Sequence, residues 1–168
     1  RDPIATDFLI SLASIAFNAP KEPPVFEPSP ESQGIEINQS FFTNLPSMMA
    51  ICNSCNNDSD LINMIGLNNF EILRFFILSN KAQLITLPKE QYVYSNEFTD
   101  GIQFLATFVS PESELIFLDK KKKFGVQWFW HGSITERWYR ILHTGLKNAS
   151  ATKYQIHGGI GIYMSDSF

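Results

Sequence analysis

The chain has 168 residues and a mass of 19.1 kDa, with 44% hydrophobic residues, 18% charged residues and a formal net charge of −4. That is enough for one ordinary domain, or for a small domain with part of another, and it excludes a wholly disordered chain. No G-X-Y or heptad period appears, which excludes collagen-like and coiled-coil architectures, and no apolar run reaches the roughly 18–20 residues that span a bilayer. Arg1 stands where an initiator Met would, so the numbered chain is expected to be a piece of a longer protein or a processed product.

Helical spacing comes first. Phe8, Ile10–Leu12, Ile15 and Phe17 define a helix over Ala5–Phe17, with Pro3 suited to its first turn. The prolines at 20, 23, 24, 28 and 30 cannot continue it and read as an extended surface connection. Thr43–Cys52 and Asp60–Leu78 are two more helical segments, the second expected to break near Gly66–Asn69, with Asn53–Asp60 a polar loop between them. The two cysteines form one C-N-S-C spacing, Cys52 and Cys55. A zinc site or redox pair needs partners that this context lacks, so both read as reduced thiols in a reducing compartment, with no metal.

From Lys81 the period changes to that of strands. Gln83–Leu87, Gly101–Val109, Glu114–Leu118 and Val126–Trp130 are rich in Phe, Ile, Val and Trp, and Val126, Trp128 and Trp130 share one face. Trp128 and Trp130 are read as core residues. Lys120–Lys123 reads as a solvated turn between the last two strands, and a mildly acidic chain offers phosphate backbones no general attraction, so no nucleic-acid partner is expected. The class is α+β, divided near residue 80 into a helical region, 1–80, and a sheet region, 81–168.

Residues 129–147 hold the chemistry. A strand ends at Trp130, and Ser133-x-x-Glu136 reads as a capping box opening a helix that Gly145 stops. Trp138, Ile141 and Leu142 share its apolar face, and His143 is expected to face solvent, like His157 in the loop beyond. His131 and Gly132 therefore lie between a strand end and a helix N-terminus, where backbone N–H groups favour anionic or amide-bearing ligands. Gly132, without a Cβ, permits close approach of a flat ring. Beyond a polar loop, Gly161-Ile162-Tyr163-Met164 reads as a short strand carrying an aromatic ring. Spacing alone does not name the ligand, and a structural histidine remains the simpler reading.

His131-Gly132-Ser133, eleven residues, then Gly145-Leu146, with Gly161-Ile162-Tyr163 further on, resembles the catalytic domain of the poly(ADP-ribose) polymerase family, the diphtheria-toxin-like ADP-ribosyltransferases. Arg1-Asp2-Pro3, Asn148-Ala149-Ser150 and the following loop resemble its small, mono-ADP-ribosylating branch. The resemblance is densest over 126–165. It implies a helical region followed by the first half of a mixed-sheet transferase fold, with NAD+ as co-substrate. His131 would open the family's triad and bond the adenine-ribose hydroxyl. Gly132 would hold the nicotinamide carboxamide through its backbone, Ser133 would add a hydroxyl, and Tyr163 would lie against the nicotinamide ring. Arg137, Gly145 and Lys147 would line the adenosine side, and Asn148–Ile160 would form one wall of the groove.

The resemblance implies protein acceptors as partners, the protein itself among them, and an intracellular, cytoplasmic location, with an endoplasmic-reticulum anchor in some members. Ile160 departs from the lysine or polar residue that many members carry there. Phe168 precedes the family's second stacking Tyr and third triad position, so the expectation is a C-terminally incomplete, inactive fragment exposing apolar surface and a sheet edge. The rival readings are a non-catalytic NAD+- or ADP-ribose-binding module and a purely structural domain.

Overall fold

The computed structural model describes residues 2–19, 30–92, 101–108, 110–148 and 160–166. The protein is α+β, as the change of period implies: seven α-helices and a two-stranded antiparallel sheet among the described residues. The proline-rich connection lies largely outside them.

The first helix, α1 (Pro3–Asn18), starts where sequence places it. Pro3 occupies the first turn and Asp2 is the N-cap, its Oδ1 accepting from the Ala5 N–H at 3.1 Å. Its buried stripe, Ala5, Leu9, Leu12, Ala13 and Ala16, is rich in small residues that let neighbouring elements approach closely. The segment read as one helix over Thr43–Cys52 is instead two, α2 (Gln39–Asn44) and α3 (Met48–Ser54). Pro46 forbids continuity, and Ser47 opens the second, its Oγ accepting from the Ala50 N–H at 3.2 Å. Asp7 of α1 adds a long-range cap, its Oδ1 accepting from the Met48 N–H at 2.9 Å.

The break expected near Gly66 is present. Helix α4 (Asp58–Ile65) and helix α5 (Leu67–Ser79) meet at 119° there, with Gly66 at φ 83°, a conformation that favours glycine. The polar loop before α4 is shorter than the expected 53–60, because Asn57 caps α4 by accepting from the Asp60 N–H at 3.0 Å. Among the described residues no single helix is long and apolar enough to cross a membrane.

Strands β1 (Ala82–Thr86) and β2 (Phe104–Phe108) match the first two expected strands and pair antiparallel, Ala82 opposite Phe108 and Thr86 opposite Phe104. The other two expected strands do not form. Glu114–Leu118 lies inside helix α6 (Pro111–Phe124). Its start signals outweigh the short β-like run: Ser110 caps Ser113, Pro111 fits the first turn, and Glu112 and Glu114 lie at the positive end of the helix dipole. Lys121–Lys123 occupy its last turn, not a turn between strands, and Gly125 ends it. No α6 residue is buried. Residues 126–129 form no regular element, the segment pairs among the described residues at Trp130 alone, and Trp128, expected in the core, is 80% exposed. Helix α7 (Thr135–Thr144) ends at Gly145 as expected, with φ 77°.

The core crosses residue 80. Helix α7 lies along α1, and β1 packs on the same helix. Phe76 of α5, fully buried, touches the rings of Phe41 (6.0 Å), Phe42 (5.8 Å), Phe75 (5.5 Å) and Tyr139 (6.0 Å, edge-on at 88°). Phe8 of α1 stacks on Phe104 of β2 at 4.6 Å. His143 is buried, contrary to expectation, because Tyr139, Leu142 and His143 fall at i, i+3 and i+4 on the inward face, and its ring stacks on Tyr139 at 6.4 Å.

Asp2 also ties the sheet to α1, its Oδ2 accepting from the Thr86 N–H at 2.7 Å. Burial alone would raise its carboxyl pKa, but the N–H groups of Thr86 and Ala5 outweigh that and hold it below the ordinary 3.8. A depressed carboxylate contributes stability above its unfolded value and loses it as pH falls through the folded one. Urea midpoints are therefore expected to fall more for the wild type than for Asp2→Asn between pH 5 and pH 3; equal losses would contradict the tie. Phe76→Ala is expected to cost about 3–5 kcal/mol in urea unfolding, whereas Phe124→Ala, on an exposed face, should stay within about 0.5 kcal/mol.

Candidate functional site

Trp130 and Ser165 form an isolated antiparallel bridge, Trp130 N–H to Ser165 C=O at 2.7 Å and Ser165 N–H to Trp130 C=O at 3.0 Å. That bridge carries two distant pieces of chain to one place. One residue on, the His131 Nδ1 lies 2.9 Å from the Tyr163 carbonyl oxygen. A carbonyl only accepts, so a hydrogen bond in this geometry takes its proton from Nδ1, the tautomer that leaves Nε2 free to accept. The Trp138 ring stands 6.3 Å from the histidine ring at 73°.

His131 and Ser133 are half-buried, while Gly132 and the Tyr163 ring (43%) are exposed. The arrangement is an open surface where the histidine ring and an accessible glycine backbone meet the backbone of a segment that carries an exposed aromatic side chain. A Cβ at Gly132 would meet nothing within 4 Å, so the described residues there leave room for a flat group to approach. Chemically, such a surface suits a ligand with a hydroxyl donor, an amide and a planar ring.

Ser133 does not cap α7. The N-cap is Ile134, which makes no side-chain cap bond, so the expected capping box does not form, and Ser133 precedes the position from which it would reach the first-turn N–H groups. Arg137 lies in the first turn, its N–H bonded to the Ile134 carbonyl at 3.0 Å, on the helix end nearest His131 in sequence. Gly145 and the exposed Lys147 lie beyond the opposite end of a ten-residue helix, a separation on the order of 15 Å along its axis. The structure thus groups His131, Gly132, Ser133 and Tyr163, with Trp138 added, and sets Gly145 and Lys147 apart. Trp138 was legible only as an apolar-face residue, because its approach to His131 depends on where the strand end meets the helix.

His157, Gly158 and Gly159 lie outside the described residues, as does most of the loop 148–160; Ile160 is 93% exposed. Two concavities of the described residues lie elsewhere. A groove of about 290 Å³ runs beside Ile10, Ser14, Ile15 and Phe42, and a space of about 10 Å³ lies beside Thr6, Asn80 and Ala82. Neither includes a residue of the histidine group, and their polar linings are hydroxyls and one amide. Among the described residues no group of three or more His, Cys, Asp or Glu could hold a metal ion.

Fold and site together define an α+β protein presenting a His–Gly–Ser turn against a Gly–Ile–Tyr segment. The protein mono-ADP-ribosyltransferase PARP8 of Mus musculus and that of Homo sapiens are each 37% identical to this chain over 97 residues. The match covers 56% of this chain and 11% of each relative. This similarity supports a relationship to the PARP family. No family model matches the chain, and no solved structure matches it.

Since Ser133 makes no cap bond, Ser133→Ala is expected to change stability by less than about 0.5 kcal/mol. Ser47→Ala, which removes the bond to the Ala50 N–H, should cost about 1 kcal/mol in the same urea titration.

Proposed function

We propose that this chain forms part of the NAD+ site of a protein mono-ADP-ribosyltransferase, which transfers ADP-ribose to protein side chains and releases nicotinamide. The observation that carries the reading is the 2.9 Å contact between His131 and the Tyr163 carbonyl, which unites the two motif segments across 32 positions of sequence. The partial identity to PARP8 supports the same class.

In this reading the His131 Nε2 accepts from a ribose hydroxyl, and the Gly132 N–H and C=O pair with the carboxamide, a donor–acceptor match that selects an amide over an acid. The Tyr163 ring lies against the nicotinamide, and Arg137 faces the adenosine side. NAD+ supplies the glycosidic bond and its leaving group. The residues of this chain bind and orient, so their contribution to rate is positional and electrostatic. Ser133 assists as a hydroxyl beside the amide. Gly145 and Lys147, at the far end of α7, belong to the outer, adenosine end of the groove. The protein acts within the cytoplasm, on other proteins or on itself.

The test uses a protein containing this chain within the longer sequence, incubated with NAD+ labelled in its ADP-ribose moiety and a mixed protein extract. Labelled protein should accumulate, and His131→Ala should reduce it by about 100-fold. Unchanged labelling in His131→Ala would overturn the role of that histidine. Saturable NAD+ binding without transfer would replace the enzyme by a binding module.

A further inference from the structure

We infer that Trp138 is a positioning residue for His131: its ring holds the imidazole in the one orientation that bonds the Tyr163 carbonyl and presents Nε2 to a ligand. The ligand side of this inference rests on the NAD+ reading, but its geometry does not. A histidine at the end of an isolated bridge has little to fix its ring. The Trp130–Ser165 pairing consists of two backbone bonds, and no longer ladder supports it among the described residues. A single hydrogen bond at Nδ1 leaves the ring free to turn over about its Cβ–Cγ bond, at the loss of that bond only.

Trp138 supplies the second constraint. The two ring centroids lie 6.3 Å apart at 73°, an edge-on arrangement within the range in which aromatic rings attract. Its own placement is firm. Trp138 packs against the core, and the next residue, Tyr139, is almost fully buried and wedged edge-on against Phe76. Helix α7 therefore cannot rotate to withdraw the indole without dislodging Tyr139. The Tyr163 carbonyl and the Trp138 ring contact the histidine as acceptor and ring neighbour, and together they select the Nδ1–H tautomer.

The experiment is long-range nitrogen–proton correlation NMR on the chain with ¹⁵N-labelled histidine, at a pH where the imidazole is neutral, with His131→Gln assigning the signal. In the wild type, Nδ1 of His131 should be protonated and Nε2 not. Trp138→Phe should keep that tautomer, because an aromatic edge remains. Trp138→Leu should give a mixture of both, and in the longer protein it should raise the Kd for NAD+ by about tenfold, as loss of a histidine's orienting partner does elsewhere. A thermal melt followed by far-UV circular dichroism establishes that each variant is folded. An Nε2–H tautomer in the wild type, or an unchanged Nδ1–H signal in folded Trp138→Leu, would overturn the inference. Should Trp138→Leu fail to fold, the wild-type signal and loss of the tautomer in Trp138→Phe decide instead, and that loss would also overturn it. If the tautomers behave as stated but NAD+ does not bind, the positioning role stands and the proposed function fails.

Discussion

The packing around Phe76 is the constraint on which the remaining structure depends. Its ring is fully buried and touches aromatic side chains of α2, of its own helix and of α7. Removing a ring of that size from a close-packed interior leaves neighbours that cannot collapse inward, which is why aromatic hubs cost more than their transfer energy alone. Through Tyr139 the same contact fixes the rotation of α7 about its own axis. A helix whose rotation is set presents one defined face outward, and Trp138 lies at its margin. The site is therefore held from behind by a core built largely from the N-terminal half of the chain.

The strength of that core contrasts with the region that leads into the site. Helix α6 buries no residue, and Leu115, Phe124, Val126 and Trp128 are each more than half exposed. A short helix with no buried face draws its stability from caps, dipole and local pairs alone, such as Lys123 lying 5.2 Å from the Phe124 ring centroid. Between α6 and α7 the Trp130–Ser165 bridge is the one pairing among the described residues. The histidine sits where a firm helix meets that bridge, and one hydrogen bond and one ring contact fix it there.

Much of this architecture was legible in the residues. Asp2-Pro3 marked the start of α1, Gly66 the bend between α4 and α5, Gly145 the end of α7, and the strand-forming residues of Gln83–Leu87 the first strand. The failures have physical causes. Leu115–Leu118 carries strand-like residues, but the serine–proline–acid start and the lysine-rich end belong to a helix, and termini outweigh four central side chains. Pro46 and Ser47 divide a segment whose apolar spacing alone read as continuous. His143 looked solvent-facing because helical phase was taken from Trp138, Ile141 and Leu142, whereas the buried face is centred on Tyr139, Leu142 and His143. The union of His131 with Tyr163 followed from a family motif, since local spacing carries no signal for a contact across 32 residues. Trp138 had no signal beyond its apolarity.

The proposed function requires that the His–Gly–Ser turn and the Gly–Ile–Tyr segment form one NAD+-binding surface seated on the Phe76 core. Titration of NAD+ into the ¹⁵N-labelled longer protein that contains this chain, followed by amide chemical shifts, tests it most directly. Saturable shifts are expected at His131, Gly132 and Tyr163, with α4 and α5 unmoved. Shifts confined to the groove beside Ile10, Ile15 and Phe42, or no saturable shift at the histidine turn, would contradict it.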